Sequence, residues 1–296
     1  MNPAYQLSCE STVDLPYAYV TGRGLSVLFY SYTVDGEEYP DDMGRDPEAL
    51  PRFYRSLKEG KRPVTSQINT YRYEEYFREL LKAGDVLHIA FGSGMTPSVC
   101  NAREAAARLS KEFPDRRLVV CDSLCSCAGY GLLMDQAADR WEAGASLDEV
   151  QAWAEETGPQ IHHQFFSTDL TMFKRSGRVS GPAAAIATVL GLCPLMRLNA
   201  EGRIVAYDKV RGRKIAIREM VREVERHARG GAAYDGPLYL AHSDCPAEAE
   251  ETRQAIEAVF PQLTGRVRVL DIGTIIASHC GPGTVALFFM GDRRPQ

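Results

Sequence analysis

Short apolar runs alternate with longer segments of helical spacing along most of this chain. Residues 25–34, 86–91 and 117–121 are rich in β-branched and aromatic or other apolar residues and predict strands, while 98–113 and 129–143 have helical periodicity. Strands separated by helices of this length form parallel βαβ units, so the pattern predicts an α/β fold. Ligands bind such sheets at the carboxyl ends of the strands, which makes the loops after the second and third strands candidate binding loops.

The length of the chain predicts two domains, because 296 residues are more than one hydrophobic core usually serves. The helical pattern stops around Thr157-Gly158-Pro159, and we therefore predict two α/β domains, 1–158 and 159–296. The first is expected to contain a mainly parallel sheet. The second has a hairpin pattern at 195–207 and a small-residue helical pattern at 182–191, and is expected to contain a mixed sheet with helices.

Charge and composition exclude several classes of protein. The formal net charge is −5, from 34 basic and 39 acidic residues, which disfavours a broad nucleic-acid surface. The N-terminus lacks a basic head and an apolar run, and the most apolar stretch, at 183–196, has about 14 residues where a membrane span needs roughly 20. We expect a cytoplasmic protein without stable membrane insertion. The eight cysteines are expected to be buried free thiols rather than metal ligands, because Cys121, Cys125 and Cys127 lack a second pair with zinc-site spacing.

Two polar motifs in the first half have residue types that could hold an anion. Thr65-Ser66-Gln67 precedes a helical segment, where its hydroxyls suit either a helix N-cap or a ligand contact. The loop 92–98 has glycines that let a ligand approach the backbone, and the following helix start favours negative charge. This loop is neither a hydrolase nucleophile elbow nor a Walker A loop, and a plain strand-to-helix turn is the alternative.

The second half contains two basic segments and a histidine of unusual setting. Segments 174–178 and 209–214 concentrate cations around glycines, which suits either phosphate and acidic partners or simply a solvated charged surface. His279 precedes a Gly-Pro-Gly sequence and is predicted on a sharply turned loop, a setting typical of functional histidines. His162 and His163 are consecutive on a predicted strand and should point to opposite faces.

Taken in order, these motifs resemble the DegV family of bacterial fatty-acid-binding proteins. At 10–16 the chain has Glu-Ser-Thr-Val-Asp-Leu-Pro, where the family usually has Asp-Ser-Thr-Ala-Asp-Leu-Pro. The remaining matches are Thr65-Ser66-Gln67, the loop 93–98, Lys-Arg-Ser-Gly-Arg-Val-Ser-Gly at 174–181, Lys-Val-Arg-Gly-Arg-Lys at 209–214 and His-Cys-Gly-Pro-Gly at 279–283. Each motif is weak alone, but six in one order across nearly the whole chain are specific.

The resemblance implies both an architecture and a role. It implies two α/β domains with an acyl chain buried between or within them. Family members carry a long-chain fatty acid such as palmitate and present its carboxylate to a separate ATP-dependent fatty acid kinase, which makes an acyl phosphate. The carrier itself is then no enzyme and needs no cofactor beyond the bound fatty acid.

By similarity, hydroxyl groups hold the fatty-acid carboxylate. The first is Thr65, and the second belongs to the strand-to-helix loop. The family commonly has Ser-Ser-Gly-Leu-Ser-Gly-Thr where this chain has Gly-Ser-Gly-Met-Thr-Pro-Ser at 92–98, so the second serine has become Thr96 and a glycine has become Pro97. Alignment favours Thr96 as the second ligand, with Ser93 as the alternative.

The remaining motif residues are implied to act around the head group or at the kinase contact: Arg178, Arg211 and His279. A competing hypothesis is a stand-alone phosphotransferase or hydrolase, with Ser93 or Thr96 as nucleophile and His279 as base. A further one is a regulatory or DNA-associated module that uses the basic segments, which the acidic net charge disfavours.

Overall fold

A computed structural model of the chain describes residues 4–178 and 191–296. It confirms the predicted α/β class, with a parallel sheet in the first half and a mixed sheet in the second. The helix predicted at 182–191 lies, apart from Gly191, outside the described residues, as does the end of the basic motif at 179–181. No helix within the described ranges is long and apolar enough to cross a bilayer.

The N-terminal sheet is parallel throughout. Its strands are β1 (Tyr5–Glu10), β2 (Ser26–Leu28), β6 (Asp85–Ala90) and β7 (Leu118–Asp122), in the order β2-β1-β6-β7. The helices of this half are α1 (Tyr17–Gly22), α2 (Ala49–Lys58), α3 (Thr70–Ala83), α4 (Ser98–Glu112), α5 (Cys127–Glu142) and α6 (Leu147–Thr157). A parallel sheet must be covered on its faces, and α3 with α4 and α5 with α6 pack as two pairs against these strands.

The C-terminal sheet is mixed, as predicted, and has six strands within the described residues. Its strands are β8 (Ile161–Ser167), β9 (Leu192–Leu198), β10 (Ile204–Arg211), β11 (Leu238–His242), β12 (Arg268–Asp271) and β13 (Thr284–Met290), in the order β10-β9-β8-β13-β11-β12. Only β11 and β12 pair in parallel. The described helices of this half are α7 (Thr171–Arg175), α8 (Arg213–His227), α9 (Pro246–Val259) and α10 (Thr274–Cys280).

The prediction of one continuous strand at 25–34 is wrong. Only 26–28 belong to the parallel sheet, whereas β3 (Ser31–Val34) pairs antiparallel with β4 (Glu37–Pro40) and β5 (Val64–Ser66) in a separate three-stranded sheet. The chain turns between them at Tyr30, whose backbone N–H donates a hydrogen bond to Ser11 Oγ (3.1 Å). Apolar residues continue through the break because both sheets bury them, so hydrophobicity alone cannot reveal it.

Helix α5 links the two halves. It is buried on most of its surface and contacts β1 on the N-terminal side and β8, β11 and β13 on the C-terminal side. Its first two turns, at 127–134, are apolar and buried on all sides, as is typical of a helix between two sheets. The two halves therefore meet over a shared apolar core, next to the site described below.

Candidate functional site

Two loops meet at the carboxyl edge of the parallel sheet, where α/β proteins bind ligands. One follows β6 at 91–97 and the other follows β7 at 123–126. Asp122, the last residue of β7, connects them, because its Oδ1 accepts hydrogen bonds from the backbone N–H groups of Ser93 (3.0 Å) and Leu124 (3.0 Å). The two candidate loops thus form one fixed surface.

The glycines of the first loop are required by close backbone contacts. A Cβ atom at Gly92 would lie 2.7 Å from the carbonyl oxygen of Cys125, and one at Gly94 would lie 2.3 Å from that of Gly202. Gly202 belongs to the turn between β9 and β10, so the loop is held against the C-terminal half. A larger residue at Gly94 would push this loop away from the C-terminal half, and one at Gly92 would push it away from the loop at 123–126.

A buried carboxylate fixes the start of the same loop. Glu10 is fully buried and accepts hydrogen bonds from the backbone N–H of Phe91 (2.7 Å) and from the hydroxyl of Tyr73. His88 Nε2 lies 3.4 Å from Glu10 Oε1, and His88 Nδ1 lies 2.9 Å from Ser8 Oγ. Glu10, the first residue of the motif at 10–16, therefore helps to fix the end of β6.

A cavity of about 290 Å³ lies between the two halves, beside this loop. This volume is just below the roughly 300–1,000 Å³ usual for small-molecule sites. Both halves contribute to its wall: Tyr30, Thr65, Ser66, Gln67, Phe91, Met95, Thr96, Pro97 and Ser126 from the first, and Phe173, Arg178, Ile204, Ile275, Ile276, His279 and Cys280 from the second.

One end of the cavity, which we call the head end, is formed by Thr65, Thr96, Arg178 and His279. Thr65 Oγ1 and His279 Nε2 are hydrogen-bonded at 2.9 Å, joining β5 to α10. Burial, with repulsion from Arg178, lowers the pKa of His279 to about 4, so the imidazole is neutral near pH 7. His279 Nδ1 is buried without a hydrogen-bond partner in the described part of the chain.

The prediction that His279 lies on a loop is wrong. It occupies the last turn of α10, and the Gly-Pro-Gly sequence follows the end of that helix. The N-cap alternative for Thr65 is excluded, because Thr65 is the central residue of β5 and Asn69 caps α3 instead. Both side chains line the cavity from short elements, β5 and α10. Elements this short show little periodicity in the sequence.

Arg178 is half-buried and connects the C-terminal half to the loop at 91–97. Its guanidinium donates hydrogen bonds to the carbonyl oxygens of Ser176 (2.6 Å) and Met95 (3.4 Å). Burial lowers its pKa from the ordinary value, although arginine remains charged at neutral pH. This positive charge faces the same cavity as the hydroxyls of the head end.

Thr96 and Ser93, the two alternatives for the second carboxylate ligand, lie in different places. Thr96 lines the cavity, and its Oγ1 is 3.0 Å from Ser98 Oγ. Ser93 is exposed and is not among the cavity-lining residues. Arg211, at the end of β10, is likewise exposed and is not part of the cavity wall.

The other end of the cavity, which we call the apolar end, continues into a smaller space of about 60 Å³. Met95, Ser126, Phe173, Ile204, Ile276 and Cys280 line both spaces. Beyond them the wall is formed mainly by buried apolar side chains, including Phe165, Leu198, Ala286 and Phe288. The sequence does not reveal these residues as part of a site, because they are spread over the three strands β8, β9 and β13 and look like ordinary core residues.

The comparison with known proteins places the chain in a family. The sequence model described as "Uncharacterised protein, DegV family" matches residues 6–292. The chain belongs to the DegV family. A DegV domain-containing protein of Clostridium perfringens is 33% identical over 287 residues, which cover 96% of this chain and 97% of the relative. The resemblance inferred from six short motifs is thereby confirmed.

Solved structures agree with the DegV assignment. A DegV family protein of Thermus thermophilus, whose structure is described as fatty acid binding, is 28% identical with a TM-score of 0.81, covering 97% of this chain and 99% of the other. A stearic-acid-binding protein of Eubacterium ventriosum has a TM-score of 0.85 at 21% identity, covering 98% and 99%. The second supports the DegV fold alone, since its sequence is more distant.

Proposed function

We propose that this protein binds one long-chain fatty acid in the cavity between its two halves. The carboxylate would lie at the head end and the acyl chain would run into the apolar end. The observation that carries the proposal is the continuity of the two spaces: a polar head end beside Thr65, Thr96, Arg178 and His279 leads into a wall of buried apolar side chains. The fatty-acid binding described for the Thermus thermophilus relative supports the same ligand class.

The chemistry of the head end suits a carboxylate that must be held without being neutralised. Thr65 and Thr96 offer hydroxyl donors, and neutral His279 offers a ring N–H once its bond to Thr65 is rearranged. Arg178 supplies positive charge but already donates hydrogen bonds to two carbonyl oxygens. A carboxylate bound mainly by hydroxyls keeps more of its nucleophilicity than one clamped by a bidentate arginine.

Burial of the acyl chain supplies enough free energy for retention. A palmitate chain has about 14 methylenes, and at roughly 0.8 kcal/mol each their burial is worth on the order of 11 kcal/mol before costs. Association and ordering remove a large part of this gain. The head group is then needed for orientation more than for affinity.

We propose further that the carrier presents the carboxylate to a separate ATP-dependent fatty acid kinase and is not itself an enzyme. Three of the cavity-lining residues are exposed to solvent: Ser66, Gln67 and Pro97. The part of the cavity wall that they form therefore lies near the protein surface. Arg211 is exposed outside the cavity, a position that fits contact with the kinase or with phosphate.

The competing enzyme hypothesis requires a base paired with a loop nucleophile. His279 Nε2 is instead bonded to Thr65, and Ser93 is exposed away from the cavity. Its low pKa makes His279 a weak base, and among the described residues no group bonds Nδ1 to orient the ring, as a nucleophile–base–orienter arrangement would need. These observations favour the carrier.

Two experiments test the proposal separately. For binding, the delipidated protein is titrated with fatty acids of increasing chain length by calorimetry, and we expect one site per chain with affinity rising with each methylene. No saturable uptake of any long-chain fatty acid would refute the carrier.

For presentation, the loaded protein is mixed with the separately purified kinase and ATP, and acyl phosphate is trapped with hydroxylamine. Arg211→Ala should keep its fatty acid and lose most of the transfer, whereas Arg218→Ala, which removes an exposed arginine of α8, should behave like the parent. Full transfer by Arg211→Ala would remove that residue from the kinase contact while leaving the binding proposal intact.

A further inference from the structure

Three potential metal ligands meet at the C-terminal half, away from the fatty-acid cavity. They are His162 from β8, His227 from the end of α8 and Asp292, which follows β13. His162 Nε2 lies 2.9 Å from Asp292 Oδ1, and His227 Nδ1 lies 3.1 and 3.2 Å from the two oxygens of the same carboxylate. The three ligand atoms all lie within 4.8 Å of one another.

The arrangement is held by packing and by the backbone. The ring of His162 is buried and lies nearly parallel to the rings of His227 (centroids 4.9 Å apart) and Phe289 (5.0 Å). The backbone N–H of Asp292 donates to the carbonyl oxygen of His227 (3.0 Å), which fixes the chain after β13 against the end of α8. The adjacent His163 lines the apolar end of the fatty-acid cavity, so this cluster lies on the opposite face of the same strand.

The donor set and spacing fit a borderline divalent transition metal. Two imidazoles and one carboxylate are typical zinc ligands, at about 2.0–2.2 Å from the ion. A tetrahedral ion at about 2.1 Å from each ligand separates the ligand atoms by roughly 3.4 Å. The distances from the Asp292 oxygens to the two imidazole nitrogens, 2.9 to 3.2 Å, lie within about 0.5 Å of this value, and the Asp292 side chain, which is 61% exposed, can make the adjustment. The ligand atoms of the two histidines lie no more than 4.8 Å apart, so the ion would draw them closer together.

A second carboxylate, that of Glu223, lies close to the ring of His227. Glu223, one turn before His227 on α8, is buried and accepts a hydrogen bond from Arg226. Its Oε2 lies 3.5 Å from His227 Nε2, the ring nitrogen that faces away from Asp292. Metal-bound histidines usually present their other ring nitrogen to such a carboxylate, which fixes the tautomer and increases the basicity of the ligand.

We propose that His162, His227 and Asp292 form a binding site for Zn²⁺, with Glu223 as the outer carboxylate and a water molecule in the fourth position. The ion would tie β8, α8 and the segment after β13 together. Hard cations such as Mg²⁺ are excluded by the imidazole ligands, because they prefer sites built of oxygen. The site is independent of the fatty-acid site, since it lies on the other face of the sheet.

The test uses protein without a polyhistidine tag, stripped with a chelator, in a Cys100→Ser background because Cys100 is the exposed thiol among the eight cysteines. Zn²⁺ is added in competition with a chromophoric chelator, and thermal unfolding is followed in parallel. We expect one Zn²⁺ per chain and a higher melting temperature, with no such response to Mg²⁺. Because His162 is buried, the variants are made at the more accessible ligands.

Asp292→Asn and His227→Gln should each weaken Zn²⁺ binding by about 100-fold or more, since each removes a direct ligand, and Glu223→Gln by roughly 10- to 100-fold. The matched control is Asp271→Asn, which alters another exposed aspartate beside a histidine, His242 (3.6 Å), and should bind like the parent. Absence of stoichiometric binding by the parent, or parent-like binding by both Asp292→Asn and His227→Gln, would overturn the proposal.

Discussion

Replacing Thr65 by valine is the sharpest perturbation of the head end. Valine keeps the volume and the β-branched shape that suit β5, which pairs with β3 through Thr65 and Tyr32. The change replaces only the hydroxyl by a methyl group, and it also removes the 2.9 Å hydrogen bond between Thr65 Oγ1 and His279 Nε2 in the cavity wall. Any loss of fatty-acid affinity can then be assigned to that group.

The magnitude follows from the kind of hydrogen bond that is lost. A bond to a charged group contributes about 1.5–3 kcal/mol, so palmitate affinity should fall roughly 10- to 150-fold. Burial of the acyl chain, on the order of 11 kcal/mol before costs, is untouched, so binding should remain measurable. The affinity for 1-hexadecanol, which has a neutral head group, should fall by no more than about 10-fold, because hydrogen bonds between neutral groups contribute only about 0.5–1.5 kcal/mol.

The assay is a calorimetric titration of delipidated parent and variant with palmitate and with 1-hexadecanol. Thr33→Val is the matched control, because Thr33 lies in β3 of the same three-stranded sheet and does not line the cavity. Thermal unfolding of all three proteins checks that the fold is retained. Parent-like palmitate binding by Thr65→Val, or equal losses for both ligands, would contradict a carboxylate contact at Thr65.

Further changes around the cavity have distinct expected results. In the same titration, Thr96→Val should weaken palmitate binding by a similar 10- to 150-fold, while Ser93→Ala should bind palmitate about as tightly as the parent. The opposite result would make Ser93, rather than Thr96, the second carboxylate ligand. Palmitate should raise the pKa of His279 from about 4, because a nearby carboxylate favours the charged imidazole, and an NMR titration that shows no change would place the carboxylate elsewhere. The unfolded chain protonates this histidine near pH 6.5, whereas the lipid-free folded protein does so only near pH 4. The free energy of unfolding of the lipid-free protein should therefore fall as the pH decreases from about 6.5 to 4, and it should fall less when palmitate is bound. Glu10→Gln should lower the free energy of unfolding in urea by about 1–3 kcal/mol, because the buried carboxylate accepts hydrogen bonds that hold Phe91; an unchanged value would mean that this network does not stabilise the loop.

Much of the fold follows from periodicity in the sequence. The helices α4 and α5 and the strands β6 and β7 lie within a few residues of their predicted positions, because their sequences have helical periodicity or form a short apolar run. The three-stranded sheet of β3, β4 and β5 was not predicted. Its strands have three or four residues each, too few for alternation to be distinguished from an extended loop.

The candidate site was predicted in part. The sequence indicated Thr65, Thr96, Arg178 and His279, and the structure brings these four side chains to one cavity. The sequence around His279 predicted a loop, whereas the residue lies in a helix. A helix of only seven residues followed by glycine looks like a turn in the sequence.

The apolar end and the cluster at Asp292 could not be predicted. Phe165, Leu198 and Phe288 become neighbours only when β8, β9 and β13 pair, and nothing in the sequence distinguishes them from core residues. The same holds for His162 in β8 and His227 in α8, which have α7, β9 and β10 among the residues between them. Contacts of this kind depend on tertiary packing, which short motifs do not record.

The most direct test of the central claim is the fatty-acid content of the protein as it leaves the cell. The chain is purified from a bacterial host without added lipid, denatured, extracted with organic solvent and analysed by mass spectrometry. We predict about one long-chain fatty acid per protein chain. An extract without fatty acid, from protein that also takes up no added palmitate, would contradict the assignment of the cavity to an acyl chain.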